Sequence, residues 1–421
     1  MLDINFIREN PEAVKKGIAA KKAPARLVDD FLRADGEWRA LTAQADRLRS
    51  EQKKAGAERN IEEAKRLKGD LAKTEAELNA AEEQRQAILT DMPNLPLADV
   101  PEGKSGADNV VLREVGKKPQ FDFPPLDYLA LAQKLDVIDT ERAAKVSGSR
   151  FGYLKNEAVL LEFALARFAF DMLAREGFTP VIPPVIVKEE MMRAMGFVDR
   201  DADRQESYYF KDDKVYFVGT SEQSVGPIHA EETFEEGELP KRYAAFSTCF
   251  RREAGSYGKD TKGILRVHQF DKIEMVSFTR PEDSANEHLL LLSLEERLMQ
   301  ALAIPYRVIR LCAGDLGWAS AGTYDIEAWM PGQNGGVGEY RETHSTSNTT
   351  DFQARRLRTR YKTRAADGKP STEYAHMLNG TGFAMGRMLI AIIENYQQKD
   401  GSVLIPDVLR PYMGGIERIA R

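Results

Sequence analysis

The chain has 421 residues, of which 42% are apolar and 30% charged, enough for two or three domains and a sizeable core. No apolar run reaches membrane-spanning length and charge begins at Asp3, so membrane insertion and secretion are not expected; Cys249 and Cys312 lie too far apart to suggest a disulfide framework and fit a reducing cytoplasm. A net charge of −6 excludes a surface that is basic throughout, while leaving room for local basic patches.

In chain order, apolar or small residues first recur at Leu27, Phe31, Ala34, Trp38, Leu41, Ala45 and Leu48, and then at Ala64, Leu67, Leu71, Thr74, Leu78, Ala81, Arg85, Ile88 and Met92. Alternating steps of four and three are heptad seams. The interruption AGAERN, with Gly56 and Asn60, folds the two helices back into an antiparallel hairpin, a rod of roughly 40–50 Å. Prolines and glycines without periodicity make 93–116 a connector, which separates an N-terminal domain (1–105) from a second domain (106–421). Further on, FTPVIPPVIV, KVYFVGT, RYAAFSTCF, ILRVHQFDKIEMVSF, YRVIRL, TYDIEAWM and FQARRLRTRYK have strand character, interleaved with helices over 157–176, 281–302 and 387–396. Strands in hairpin-like succession predict an α+β domain built on an antiparallel sheet flanked by helices.

Several segments carry residues suited to chemistry. FRREAGSYGKDTKGILRVHQFDKIEM (250–275) would hold Arg251 and Glu253 at a strand end, beside a basic loop broken by Gly255, Gly258 and Gly263 and a returning strand with Ile264, Val267, Phe270 and Ile273. That geometry suits a polyanion. Thr220 and Glu222 stand just past a strand end, where they either face a ligand ammonium or open a helix capped by Thr220 or Ser221. Glu274, between Ile273 and Met275, is either a solvated strand-face residue or a buried anion awaiting a cation or hydroxyl. The series Glu339, Glu342, Thr343, His344, Ser345 and Ser347 offers oxygen donors that suit Mg²⁺ bridging to nucleotide phosphates, or else a polar loop. Arg356, Arg358, Arg360, Lys362 and Arg364 alternate and would share one strand face, solvated or laid along an RNA backbone. Gly380, Gly382 and Gly386 precede an apolar helix and would let a ligand approach the backbone closely, with Arg387 reaching its phosphates. Neither a P-loop nor a dinucleotide fingerprint is present. The five histidines have no zinc-ligand spacing, so no zinc is expected.

Taken together, these segments resemble the bacterial-type seryl-tRNA synthetases, a family of class II aminoacyl-tRNA synthetases, from MLDINFIRENPEAV to LRPYMGG. FTPVIPPVIV is similar to the first class II motif, with Pro183 or Pro184 at a homodimer interface; FRREAGSYGKDTKGILRVHQFDKIE is similar to the second and LNGTGFAMGRMLIAIIEN to the third. The resemblance implies a tRNA-binding N-terminal domain with a long coiled coil, followed by a catalytic aminoacylation domain. It implies a cytoplasmic, homodimeric serine–tRNA ligase that activates L-serine with ATP and transfers the seryl group to serine tRNA, and to selenocysteine tRNA where present. The implied ATP contacts are Arg251, Arg252, Glu253, Val267, Phe270, Glu342, Thr343, His344, Ser345 and Arg387, with Glu342 and Ser345 near the Mg²⁺ that accompanies the nucleotide. The loop from Gly255 to Gly263 is expected to approach ATP and the tRNA acceptor end. Serine is expected at Thr220, Ser221, Glu222, Glu274 and Thr381, and catalysis from Arg251 and Arg387 without a covalent nucleophile. Ser221, Thr343, His344 and Thr381 depart from the residues commoner at those positions. Two alternatives stand beside this reading: a noncatalytic RNA-binding paralogue, which should have lost charged ATP contacts, and an amino-acid:carrier-protein ligase, which should lack the helical arm.

Overall fold

The computed structural model describes residues 1–254, 262–365 and 367–421, so most of the basic loop expected near ATP and the acceptor end lies outside the described residues. The chain forms two compact units, Met1–Pro96 and Leu97–Arg421.

In the first unit, Asp3 caps α1 (Ile4–Glu9) by accepting the Asn5 and Phe6 N–H groups, and Pro11 opens α2 (Pro11–Ala20). The hairpin is then formed by α3 (Arg26–Ala57, 32 residues) and α4 (Ile61–Thr90, 30 residues), which makes each about 45–48 Å long. The expected seam is largely the one buried: Phe31, Ala34 and Ala45 are buried on α3, and Leu67, Thr74 and Ala81 on α4. The tip differs from expectation in one respect. Gly56 stays helical, since an interior glycine costs only about 1 kcal/mol, and the turn is made by Arg59 at φ +57° with Asn60 capping α4 through the Glu63 N–H at 3.2 Å.

Near the base of the hairpin, Asp35 is 2% exposed and gathers two arginines. Arg8 binds it through Nε at 2.8 Å and Nη2 at 2.7 Å, and Arg85, stacked 3.9 Å from the Trp38 ring centroid, donates Nη1 at 3.1 Å. Burial pulls the Asp35 carboxyl up, but the two guanidiniums outweigh it and hold it below the ordinary carboxylate range. Asp35→Ala leaves both cations without their buried anion and should destabilise this unit by about 3–5 kcal/mol. Denaturant unfolding read by hydrogen exchange in α1, α3 and α4 checks this.

The second unit is built on an eight-stranded sheet. In chain order its strands are β1 (Val110–Val115), β2 (Thr179–Val181), β3 (Lys241–Phe250), β4 (Gln269–Thr279), β5 (Tyr306–Arg310), β6 (Gly322–Met330), β7 (Glu339–Asn348) and β8 (His376–Ala384). Across the sheet they run β1-β5-β6-β7-β8-β4-β3-β2. All neighbours are antiparallel except β2, which is parallel to β3. Helices α5 (Glu157–Arg175), α6 (Ser284–Ala301) and α8 (Met385–Asn395) pack against it, and Leu161, Phe168, Leu298, Ile273, Met275, Phe383 and Leu389 share one apolar core. This is the expected α+β domain.

Four local expectations are corrected. The connector contains β1, an edge strand exposed along nearly its whole length, so no buried face imposes a hydrophobic alternation on VVLREV. The returning strand begins at Gln269; Ile264, Leu265 and Val267 precede it and are buried without strand pairing. Residues 339–348 are strand β7 rather than a polar loop. FQARRLRTRYK is not one strand: Phe352–Leu357 is helix α7, Arg358 is left-handed at φ +57°, and only Arg360–Arg364 is extended. Phe352, Ala354 and Leu357 are buried on this helix, and Arg355 pairs with Asp351 one turn earlier at 2.6 Å. Arg356 therefore leaves the supposed basic face and forms a buried pair with Asp199 at 2.5 Å.

Apart from a register slip between Val111 and Arg113 in the edge pair β1–β5, the sheet carries two β-bulges near its centre. The β6–β7 register slips between Ile326 and Glu327, leaving Thr343 opposite no residue, and the β4–β8 register slips between Ile273 and Glu274, leaving Gly382 unmatched. Each bulge re-aims side chains beside a cavity.

Candidate active site

An inner cavity of about 290 Å³ opens over β3, β4, β7, β8 and the first turn of α8, and an outer one of about 540 Å³ adjoins it. The two share Phe197, Thr220, Arg251, Glu253, Arg266, Glu342 and Arg387, whereas Lys272, Glu274, Ser345, Asn379 and Thr381 line the inner one alone. The site thus has a charged mouth rich in guanidinium groups and a deeper, smaller pocket of carboxylates and hydroxyls.

At the mouth, Arg251 stands just past the end of β3 and anchors Nε on the Gly219 carbonyl at 3.0 Å, with its guanidinium carbon 5.2 Å from the Phe270 ring centroid. Arg387, in the first turn of α8, donates Nη1 to the Glu342 carbonyl at 2.8 Å and pairs with that residue's carboxylate at 3.2 Å. Glu253, at φ +51°, faces Arg266 at 3.4 Å. Val267 and Phe270 line the wall between these groups and the core.

Deeper, Glu274 and Lys272 stand two residues apart on β4 and so share a face; their side chains meet at 2.5 Å, and Lys272 also donates to Thr220 Oγ1 at 3.3 Å. Glu222 accepts from Gln353 Nε2 at 3.0 Å. Thr381 Oγ1 lies 3.4 Å from both the backbone N and O of Ser345, where it accepts from the one and donates to the other.

Burial dominates the electrostatics. It pushes the Glu222 carboxyl up, and it pushes Glu274 up to about 7, with Lys272 opposing and Glu222 reinforcing. For Glu342, whose side chain is half exposed at the mouth, desolvation by the cavity walls acts upward, but Arg387, Arg251 and Lys272 outweigh it and hold the carboxyl below its ordinary range. Asp325, on β6 behind Ser345, is raised well above the ordinary range by burial and then by Glu342. Glu342 and Ser345 supply oxygen only, and among the described residues no cluster of three His, Cys, Asp or Glu side chains is arranged to hold a metal alone. Two protein oxygens fit a hard cation that completes its shell with phosphate and water.

Of the residues singled out in the sequence, Thr220, Glu222, Arg251, Glu253, Val267, Phe270, Glu274, Glu342, Thr343, Ser345, Thr381 and Arg387 line the inner cavity. Ser221, Arg252 and His344 do not. Ser221 is fully buried with Oγ donating to the Ala245 carbonyl at 3.3 Å, so it makes no side-chain cap for the short helix Glu222–Val225. Arg252 is exposed. His344 is buried beside Thr343 Oγ1 at 2.9 Å and is pushed down to about 3 by burial, hence neutral. Gly382 is needed for packing, since a Cβ there would fall 2.6 Å from Ile273 Cγ2, whereas Gly386 lines the cavity. Lys272, Arg266 and Asn379 were not singled out; the period of two from Glu274 was the available signal for Lys272.

Residues 208–396 match the family model "tRNA synthetase class II core domain (G, H, P, S and T)", and residues 1–96 match "Seryl-tRNA synthetase N-terminal domain". The serine–tRNA ligase of Thermobifida fusca is 44% identical, with 98% of each chain covered, and that of Nocardia farcinica is 45% identical over the same shares. Among solved structures, seryl-tRNA synthetase from Pyrococcus horikoshii complexed with ATP superposes with a TM-score of 0.92 at 39% identity, covering 100% of this chain and 99% of that one. The cytoplasmic serine–tRNA ligase of Naegleria fowleri in complex with AMP gives 0.89 at 35% identity, covering 100% and 98%. The chain belongs to the seryl-tRNA synthetase family of class II aminoacyl-tRNA synthetases.

Proposed function

We propose that the chain activates L-serine with ATP and transfers the seryl group to the terminal ribose of a serine tRNA. The observation that carries this reading is the division of one continuous site into a guanidinium-rich mouth and a pocket where Glu222, Glu274 and Thr381 can meet an ammonium and a hydroxyl. The serine carboxylate attacks the α-phosphorus, the bond to the bridging oxygen breaks, and pyrophosphate leaves; a ribose hydroxyl then attacks the seryl carbonyl and releases AMP. Arg251 stabilises charge at the α-phosphate, Arg387 holds the far phosphates, and Phe270 and Val267 take the adenine. Glu342 and Ser345 would hold Mg²⁺, which when bound neutralises phosphate charge. Glu222 and Glu274 orient the ammonium, and Thr381 takes the hydroxyl.

The unit Met1–Pro96 serves as the tRNA-binding arm in this reading. Dimerisation through the first motif is supported by Ile182, 83% exposed at the end of the edge strand β2; sedimentation should give a two-chain species. Buried free thiols at Cys249 and Cys312 fit the cytoplasm, and among the described residues no helix is long and apolar enough to cross a membrane. Initial rates of serine-dependent pyrophosphate exchange and of tRNA charging test the function: exchange without charging would favour a carrier-protein ligase, and absence of both a noncatalytic paralogue.

Acid should impair serine capture. With Glu274 raised to about 7 in the free protein, lowering the pH protonates it and removes the anion facing the ammonium, so kcat/KM for serine should fall by roughly tenfold per pH unit below that value. Lys272→Met removes the opposing cation and should move this limb to higher pH. Stability runs the other way: the native state retains a proton that the unfolded chain has lost, so this group's contribution falls as pH rises from the ordinary carboxylate value towards 7.

A further inference from the structure

Glu295, on α6, is fully buried beside the inner cavity without lining it. Its Oε1 accepts the backbone N–H of Thr381 at 2.9 Å, while Oε2 is buried without a hydrogen-bond partner among the described residues. A buried carboxyl is a costly way to satisfy one amide, and the strand geometry explains why the amide needs it. Pairing of β7 with β8 ends at Thr346↔Gly380, and the β4–β8 register slips at the next residue, where Gly382 is unmatched. Thr381 sits at this break, and Glu295 supplies the acceptor there. The neighbouring backbone is tightly held: a Cβ on Gly380 would fall 3.2 Å from Glu295 Oε1 and 3.1 Å from both Met275 Cε and Thr346 Oγ1. The Thr381 hydroxyl, by contrast, has among the described residues only its two 3.4 Å contacts to Ser345 to fix it.

We propose that Glu295 is a positioning residue for substrate selection: by clamping the Thr381 N–H it sets where the Thr381 hydroxyl stands, and so how well the pocket separates serine from amino acids that lack a hydroxyl. The inference rests on the serine reading of the pocket. Burial, reinforced by Glu274 and Asp325, raises the Glu295 carboxyl well above the ordinary range, so the clamp is a neutral acceptor that an amide can replace.

The test compares full-length wild type with Glu295→Gln, Glu295→Asp and Glu295→Leu in pyrophosphate exchange with serine and, separately, with alanine, alongside thermal unfolding. Glutamine keeps an acceptor oxygen at the same reach and should leave serine kcat/KM within about threefold. Aspartate withdraws the acceptor by one methylene and leucine removes it; each should raise the serine KM and lower the serine-to-alanine ratio of kcat/KM by about tenfold or more. A purely structural role would reduce activity toward both amino acids by one factor and leave the ratio alone. That outcome in the folded aspartate variant would overturn the proposal, as would loss of the ratio in the glutamine variant. A wild-type protein that does not prefer serine to alanine would instead overturn the reading of the pocket itself.

Discussion

Replacing Arg251 with alanine should cut serine-dependent pyrophosphate exchange by about 10²–10³-fold, the loss expected when one donor aimed at developing transition-state charge is removed. The side chain is anchored at the mouth of the cavity, as the proposed role requires. Its Nε is tied to the Gly219 carbonyl at 3.0 Å and its plane lies near the Phe270 ring, with a centroid distance of 5.2 Å. Arg251→Lys should not restore the rate, because a point charge on a flexible stem replaces neither the fork nor the anchor. Thermal unfolding should be almost unchanged, since the residue lines the cavity and is not part of the core. Exchange within about tenfold of wild type, in a folded variant, would take the α-phosphate role away from Arg251.

How much was legible in advance depends on the range of the interactions concerned. The hairpin is written in local periodicity: each seam residue is three or four positions from the next, and a helix converts that spacing into one face. Arg251 and Arg387 were legible as charges at the ends of elements, whereas Glu274, in the middle of β4, stayed open between a solvated and a buried carboxylate until the resemblance placed it at serine. Glu295 was not, because its importance lies in reaching an amide 86 positions away that a bulge has removed from the ladder. No feature of SLEERL distinguishes it from its neighbour Glu296. The arginine alternation after residue 355 misled for a related reason: the period of two was real, but one left-handed residue, Arg358, divided it between a helix and a strand. Strand β1 was hidden because an exposed edge needs no alternating face.

Removing the distal half of the hairpin should separate the two steps of the reaction. Gln44 and Thr74 face each other across α3 and α4 at 3.4 Å, so a short Gly/Ser turn replacing residues 45–73 closes the rod at a natural rung and keeps the Asp35–Arg8–Arg85 cluster. All cavity-lining residues lie in the other unit, so serine-dependent pyrophosphate exchange should persist at nearly the wild-type rate. Charging of tRNA should fall by about two orders of magnitude at sub-saturating tRNA if the arm supplies several backbone contacts. The removed stretch is net basic within an acidic chain, and its charges are unevenly engaged. Arg49 is paired with Asp46 and Glu75, and Arg66 with Glu63, whereas Arg47, Lys53, Lys54, Arg59, Lys65 and Lys68 are exposed and form no ion pair among the described residues. Cations that only solvate a coiled coil would leave tRNA affinity unchanged on deletion. Cations that meet phosphates release counterions, so the full chain should lose affinity with salt more steeply than the shortened one, by a slope of roughly 0.7–0.9 for each phosphate that the deleted cations neutralise. Binding isotherms across a salt series decide between these outcomes: equal affinities and equal slopes for the two proteins would mean that the arm does not hold the tRNA.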